Sequence, residues 1–216
     1  APMSIAADRP NIVIVLADDL GYGSLNSYGA DEAHIRTPNI DRLAQSGRRF
    51  TDANTPSSVC SPTRYGLLTG RYDWRTDQKH GVLNTTDPLH IETSRSTIAS
   101  LLKSAGYRTA AIGKWHLGYG SERHDFRKPL SPGPLDIGFD YHFAVPQNHG
   151  DASGVYVRNR AVVGLRSDRT VAAGTSPYGR EYMGIDAPQR VDVNVMDELT
   201  TDAIHWLERQ SDDVPF

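Results

Sequence analysis

The sequence predicts an α/β fold, and three observations carry that prediction. Ile12 to Ala17 is a continuous apolar run rich in β-branched residues, the composition of a strand covered on both faces. Ile98, Leu101, Leu102 and Ala105 recur at helical spacing between Ser96 and Gly106, and Tyr107 to Ile112 follows as a buried strand. A third strand pattern, Gly138 to Val145, comes after a Pro- and Gly-rich loop over Ser121 to Pro134. Helices alternating with apolar strands point to helices layered on a sheet.

A chain of 216 residues is long enough to bury most of its apolar surface as one domain. Its hydrophobic content of 38% and charged content of 23% are ordinary for a globular protein. A net charge of −3 leaves no electrostatic footprint for nucleic acid, and no apolar run approaches the roughly 20 residues of a membrane span. The single cysteine excludes an internal disulfide framework and leaves the compartment open. The chain divides into a short tail, residues 1–8, and a domain portion, residues 9–216. The tail has neither a basic nor an apolar signal region. Its start at Ala1 suits either a mature end left by signal-peptide cleavage or an arbitrary cut in a longer protein, and a periplasmic or secreted location is expected.

Taken in order, Asp18, Asp19, Gly21 and Gly23 follow the first strand, beyond whose carboxyl end an α/β sheet binds its ligands. Adjacent strand residues face opposite ways, so the two carboxylates converge only if the chain turns, which the glycines permit. Thr37 and Pro38 read as cap and first residue of a helix with Ile40, Leu43 and Ala44 on one face and Gly47 as its stop. Phe50 to Ala53 reads as a short strand. A helix begins at Cys60, with Pro62 in its first turn, Leu67 and Leu68 continuing it and Gly70 ending it. Cys60 thereby lies at a helix N-terminus, where free N–H groups favour negative charge.

Arg71 to Pro88 is polar and irregular, as expected of a loop at a surface or a site. Val155–Val157 and Ala161–Val163 flank Arg158-Asn159-Arg160 as a hairpin. Gly164 to Arg190 is a long excursion rich in Gly, Pro, Ser and charge. Val193 to Gln210 is an amphipathic helix with Val195, Leu199, Ala203, Trp206 and Leu207 inward, and Asp212 to Phe216 reads as the start of another strand.

Four groups of residues are candidates for chemistry. Adjacent carboxylates on Asp18 and Asp19 repel, which is costly in a crevice unless a cation neutralises them. Hard oxygen ligands imply Ca²⁺ or Mg²⁺. Arg64 follows Cys60 by about one helical turn, so the two share a face. Lys114 and His116, two apart after a strand, project to one side as a cation and a proton-transfer group. His149 and Asp151, in the polar loop after Val145, are candidates for substrate contact. His80 and His90 read as solvated loop residues, and Tyr22 and Trp115 as packing residues.

Asn11 to Gly23, Cys60-x-Pro62-x-Arg64 and Gly113-Lys114-Trp115-His116-Leu117-Gly118, in this order, resemble the N-terminal signatures of the formylglycine-dependent sulfatases of the alkaline-phosphatase-like superfamily. The resemblance runs from about Arg9 to the end of the chain. It implies a sandwich with a central, mostly parallel mixed sheet flanked by helices. It also implies Ca²⁺, with Mg²⁺ as the alternative, on Asp18, Asp19 and an oxygen of a modified Cys60. A formylglycine-generating enzyme would oxidise Cys60 to Cα-formylglycine, whose hydrated aldehyde attacks sulfur and later expels sulfate. Arg64 would hold the hydroxyls of that hydrate, Lys114 would contact sulfate, and His116 would deprotonate the hydroxyl that releases it.

The implied substrate is a sulfated small molecule or polysaccharide, with a sulfated carbohydrate preferred. The family's further histidine, metal pair and lysine belong C-terminal to this region, so a remaining C-terminal part of the catalytic domain is an expected partner. Two other functions compete with this one: a phosphonate monoester or phosphodiester hydrolase of the same superfamily, and a fragment that binds without turnover.

Overall fold

The strand β1, Ala110–Lys114, lies parallel to β2, Tyr141–Val145, in the register Ala110 to Tyr141 through Lys114 to Val145. Two short strands, β3 (Val157–Arg158) and β4 (Ala161–Val162), add antiparallel edges to give a four-stranded mixed sheet in the order β1-β2-β3-β4. The computed structural model describes residues 9–151, 153–175 and 181–216. The expected tail, residues 1–8, lies outside them, as do residues 176–180 of the long excursion.

Strand alternation sorts the core into two layers. Phe143 and Val145 of β2 face the helix α4, Val195–Glu208, and pack with its Val195 and Leu199. Ala144 faces the other way, into a cluster containing Trp115, Tyr119, Phe139 and Leu130. The α/β architecture and the mixed sheet agree with the sequence reading, and one of the sheet's three pairings is parallel.

Helix boundaries follow local chemistry. Helix α1, Pro38–Ser46, starts on Pro38, but the Thr37 side chain makes no cap bond to the helix. The expected apolar face of α1 is open to solvent at Ile40 and Leu43. Helix α2, Cys60–Thr69, ends on Gly70 at φ +66°, a left-handed residue whose N–H donates to the Gly66 carbonyl. Helix α3, Ile98–Ser104, is capped reciprocally: Thr97 Oγ1 accepts from the Ser100 N–H, and Ser100 Oγ accepts from the Thr97 N–H.

Four expectations are corrected. Ile12 to Ala17 forms no strand, and Val15 is 87% exposed. Among the described residues its ladder begins and ends with one bond, from the Ile12 N–H to the Phe216 carbonyl at 2.6 Å. An apolar run becomes a buried strand only when neighbours pair with both its edges. Phe50 to Ala53 is likewise no strand, and Phe50 is exposed. The excursion after Gly164 contains an antiparallel pair the sequence did not reveal, β5 (Thr170–Thr175) with β6 (Glu181–Ile185).

Asp212 to Phe216 contains no assigned strand either, although Pro215 accepts from the Arg108 N–H just ahead of β1. The hairpin at residues 155–163 forms as expected, with Asn159 taking the left-handed turn position at φ +55°.

Towards the amino ends of β1 and β2 lies a closed polar pair. His142 Nδ1 donates to the Ala111 carbonyl, and Tyr119 donates its hydroxyl proton to His142 Nε2 at 2.9 Å. Burial pushes the His142 imidazole from 6.5 down to about 3, against a smaller upward pull from the Ala111 carbonyl. A group whose folded pKa is depressed contributes stability above its unfolded pKa, so this contribution is lost as pH falls from about 6.5 towards 3. Urea unfolding of wild type and His142→Gln between pH 7 and 4 should show the wild type losing stability more steeply. Parallel pH curves for the two proteins would refute the assignment.

Candidate active site

The C-terminal end of β1 meets side chains from two distant segments, Asp18 and the first turns of α2. Cys60 is the first residue of α2, and its predecessor Val59 leaves the helix N-terminus without a side-chain cap. The free N–H groups of that first turn therefore face a cavity of about 210 Å³ lined by Asp18, Asp19, Cys60 and Arg64. Gly66 lets the preceding loop press on the helix: a Cβ there would stand 2.6 Å from the Pro56 ring.

Lys114 ends β1 and joins the other groups. Its Nζ donates to Asp18 Oδ2 at 2.5 Å and to Cys60 Sγ at 3.1 Å. Arg64 crosses from α2, donating through Nη1 to the Lys114 carbonyl at 2.6 Å and through Nη2 to Asp18 Oδ2 at 3.4 Å. Partial burial raises the Asp18 pKa, but the Lys114 hydrogen bond and the charges of Lys114 and Arg64 outweigh it and hold the carboxyl below its usual range. Burial in turn lowers Arg64, with Asp18 and Cys60 opposing. Asp18, Cys60, Arg64 and Lys114 thus form one connected group, as the sequence reading required of a site.

Asp19 lies beside this group on the cavity wall with its backbone at φ +57°. The expected turn after the first strand therefore falls on Asp19 itself rather than on the glycines. His116 also has a left-handed backbone, φ +55°, and its ring is almost fully buried. Such residues cost of order 1–3 kcal/mol and cluster where function demands them. Burial lowers the His116 pKa, the Leu83 carbonyl opposes this, and the positive charges of Lys114 and Arg64 lower it further. Nε2 of the ring meets that Leu83 carbonyl at 2.9 Å.

The two residues of the following loop separate. His149 is exposed. The Asp151 carboxylate is fully enclosed, accepting from the Gln147 and Ser153 N–H groups and pairing with Arg190 at 3.2 Å. Those bonds hold the loop in shape and leave Asp151 no open face. His90 corrects the reading of a solvated residue: its Nε2 meets Asp73 Oδ1 at 2.7 Å, and its ring packs against Tyr65. Trp115 is buried as expected, whereas Tyr22 packs edge-on against Tyr28 at the surface.

Thr55, Ser57, Ser58 and Thr63, which also line the cavity, went unnoticed in the sequence. Their signal was present as the polar run Thr55 to Ser58 immediately before Cys60.

Two adjacent carboxylates on a cavity wall are the right donors for a hard divalent cation, and Asp18 already faces two cationic side chains. Ca²⁺ takes about six to eight oxygen ligands. Among the described residues no group of three His, Cys, Asp or Glu side chains converges as a metal site. The donor chemistry fits such an ion, and these residues supply part of its shell.

Residues 10–216 match the family model described as Sulfatase. The N-acetylgalactosamine-6-O-sulfatase of Bacteroides thetaiotaomicron is 44% identical over 160 residues, covering 74% of this chain and 31% of that protein. Arylsulfatase A of Bos taurus is 42% identical over 144 residues, covering 67% and 27%. A sulfatase structure from work on glycosaminoglycan metabolism by Bacteroides thetaiotaomicron superposes with a TM-score of 0.86 at 33% identity, over 96% of this chain and 49% of that one. A second structure, described as a complex with its substrate D-glucosamine-2-N,6-O-disulfate, gives 0.61 at 25% identity over 96% and 33%. The chain therefore spans about a third or less of these curated relatives and half or less of these solved chains. With its α/β sheet, its Cys60 helix and its match over residues 10–216, the chain belongs to the sulfatase family.

Proposed function

We propose that the protein carrying this chain hydrolyses sulfate esters of a sulfated carbohydrate at the cavity in front of Cys60. The observation that carries this reading is the position of Lys114 Nζ, 3.1 Å from Cys60 Sγ and bonded to Asp18 on its other side. A fixed ammonium beside the reacting position is the feature an anionic ester requires. The sugar class rests on the relatives whose names or bound ligands are sulfated sugars.

Each side chain has a task that its placement allows. Lys114 binds and orients the sulfate group. Arg64 holds the Lys114 carbonyl and Asp18, so the cationic pair stays aligned with the helix that carries Cys60. His116, held neutral by burial and by the nearby positive charges, accepts a proton during turnover. Position 60, once converted to formylglycine by a maturing enzyme, supplies the oxygen nucleophile. Asp18 and Asp19 would hold a divalent cation, Ca²⁺ in preference to Mg²⁺, which supplies charge stabilisation for the ester. His149 remains a candidate sugar contact on the exposed loop, and the protein is expected to work outside the cytoplasm.

Turnover of a 6-sulfated amino sugar, compared with an aryl phosphonate and a phosphodiester, tests the reaction class. The sulfate ester should be preferred, Cys60→Ala should abolish its hydrolysis, and the peptide spanning residue 60 should show oxygen in place of sulfur with loss of two hydrogens. Preference for the phosphonate or diester would move the protein to the competing class. An unmodified thiol in active protein would remove the formylglycine from the account.

A further inference from the structure

The main chain of one residue, Leu83, ties the two sides of the site together through its N–H and its carbonyl. Leu83 lies between α2 and α3, and its N–H donates to Ser61 Oγ at 3.1 Å, one residue beyond Cys60. Its carbonyl meets His116 Nε2 and Gln147 Nε2, each at 2.9 Å. A carbonyl oxygen only accepts, so both nitrogens must carry hydrogen.

The Gln147 amide is held in that orientation by Thr85, whose hydroxyl donates to Oε1 at 2.8 Å. Flipping the amide would set two acceptor oxygens against each other. A neutral imidazole has one N–H and one bare nitrogen. With Nε2 committed to Leu83, the bare nitrogen is Nδ1, which is buried and has no hydrogen-bond partner among the described residues.

The same short segment holds the backbone of the ring. Val145 and Pro146 accept from the Trp115 and His116 N–H groups, each at 3.0 Å, and so keep His116 in its left-handed conformation. Residues 145–147 thus grip His116 twice, through its main chain and, by way of Leu83, through its side chain. The opposite tautomer would put a lone pair against the Leu83 oxygen and a hydrogen on Nδ1, leaving that nitrogen unable to accept a proton.

We propose that His116 accepts its proton through Nδ1, and that Gln147, Thr85 and Ser61 are positioning residues that fix this tautomer by holding the main chain of Leu83. The inference rests on the reading of His116 as the proton-transfer group of a sulfatase site. Burial and the charges of Lys114 and Arg64 favour the neutral ring that the assignment requires.

Histidine nitrogens report their tautomer directly in long-range proton–nitrogen correlation spectra, and the full chain labelled at histidine can be measured at neutral pH, with His116→Gln used to assign the signals. The wild type should show hydrogen on Nε2 and a bare, pyridine-type nitrogen at Nδ1. Gln147→Glu keeps the shape and removes the donor, so the two His116 nitrogens should shift towards the intermediate values of exchanging tautomers. Ser61→Ala, which frees the Leu83 N–H and so loosens the same residue, should move them in the same direction.

Hydrogen on Nδ1 in the wild type overturns the assignment. Unmoved His116 signals in folded Gln147→Glu and Ser61→Ala overturn the positioning role. Because the measurement needs no turnover, failure to hydrolyse a sulfate ester refutes the proposed function while the tautomer pattern still decides this inference.

Discussion

Lys114→Ala should lower kcat/KM for sulfate-ester hydrolysis by about 10²–10³-fold, the usual cost of removing one preorganised charge from a developing anion. The expectation follows from the connections of this side chain. Its ammonium touches both Asp18 and Cys60, and its carbonyl is the anchor of Arg64. Removing the side chain leaves Asp18 with Arg64 alone at 3.4 Å, while the carbonyl that holds Arg64 remains. The fold should therefore survive and the chemistry should not. Lys114→Arg should fail to restore the rate, because a planar fork cannot take the place of a compact ammonium between two fixed partners. Steady-state kinetics on catalytically active protein, with circular dichroism as the folding control, make the comparison. An unchanged kcat/KM in Lys114→Ala would remove Lys114 from the reaction.

Gly118→Ala should be the most damaging single methyl group in this region. Gly118 has φ +74°, and a Cβ there would run into the Pro88 carbonyl oxygen and stand 2.6 Å from that of Asp87. The approach is so close because residues 87–90 are laced to 117–120: Leu89 donates to Gly120, His90 to Leu117, and Tyr119 to Asp87. Overpacking costs about 1–3 kcal/mol and a left-handed alanine about 1–2 more. The sum, roughly 3 kcal/mol, is a large part of the 5–15 kcal/mol that holds a typical domain together. Urea unfolding of Gly118→Ala against Gly150→Ala provides the contrast, since a Cβ at Gly150 meets nothing within 4 Å. Equal midpoints for the two variants would show that the 87–90 loop yields freely.

The sequence made some of this visible and concealed the rest for physical reasons. The Cys60 helix was legible at both ends, because Pro62 and Gly70 act through their own backbone and need no distant partner. Lys114 and His116 were found as a pair, yet their side chains diverge. One reaches Asp18 and Cys60, and the other turns into the interior towards Leu83. Two-residue spacing along a strand puts side chains on one side only while the strand continues, and β1 stops at Lys114.

The run Ile12 to Ala17 was misread because apolar composition records what a segment would bury, not whether neighbours are there to pair with it. The β5–β6 pair was missed because Gly174 and Gly184, with the register shift between Ala172 and Gly174, blur the two-residue alternation on which strand recognition rests. His90 was misjudged because its partner Asp73 lies 17 residues away. The part of Leu83 was invisible in principle: it is played by main-chain groups, which every residue possesses.

The separations in sequence between bonded partners also bear on how the site comes into being. Asp18 and Lys114 are 96 residues apart, Gln147 and Leu83 64, and Arg64 and Lys114 50. Closing a loop costs entropy that rises with its length, and contacts of this range are made late, after helices and the adjacent β3–β4 turn have formed locally. Helicity in this chain should therefore report little about competence. Contact between Lys114 and Asp18 should follow local helix formation, so a population can look folded to far-ultraviolet light while its reaction centre is still unmade.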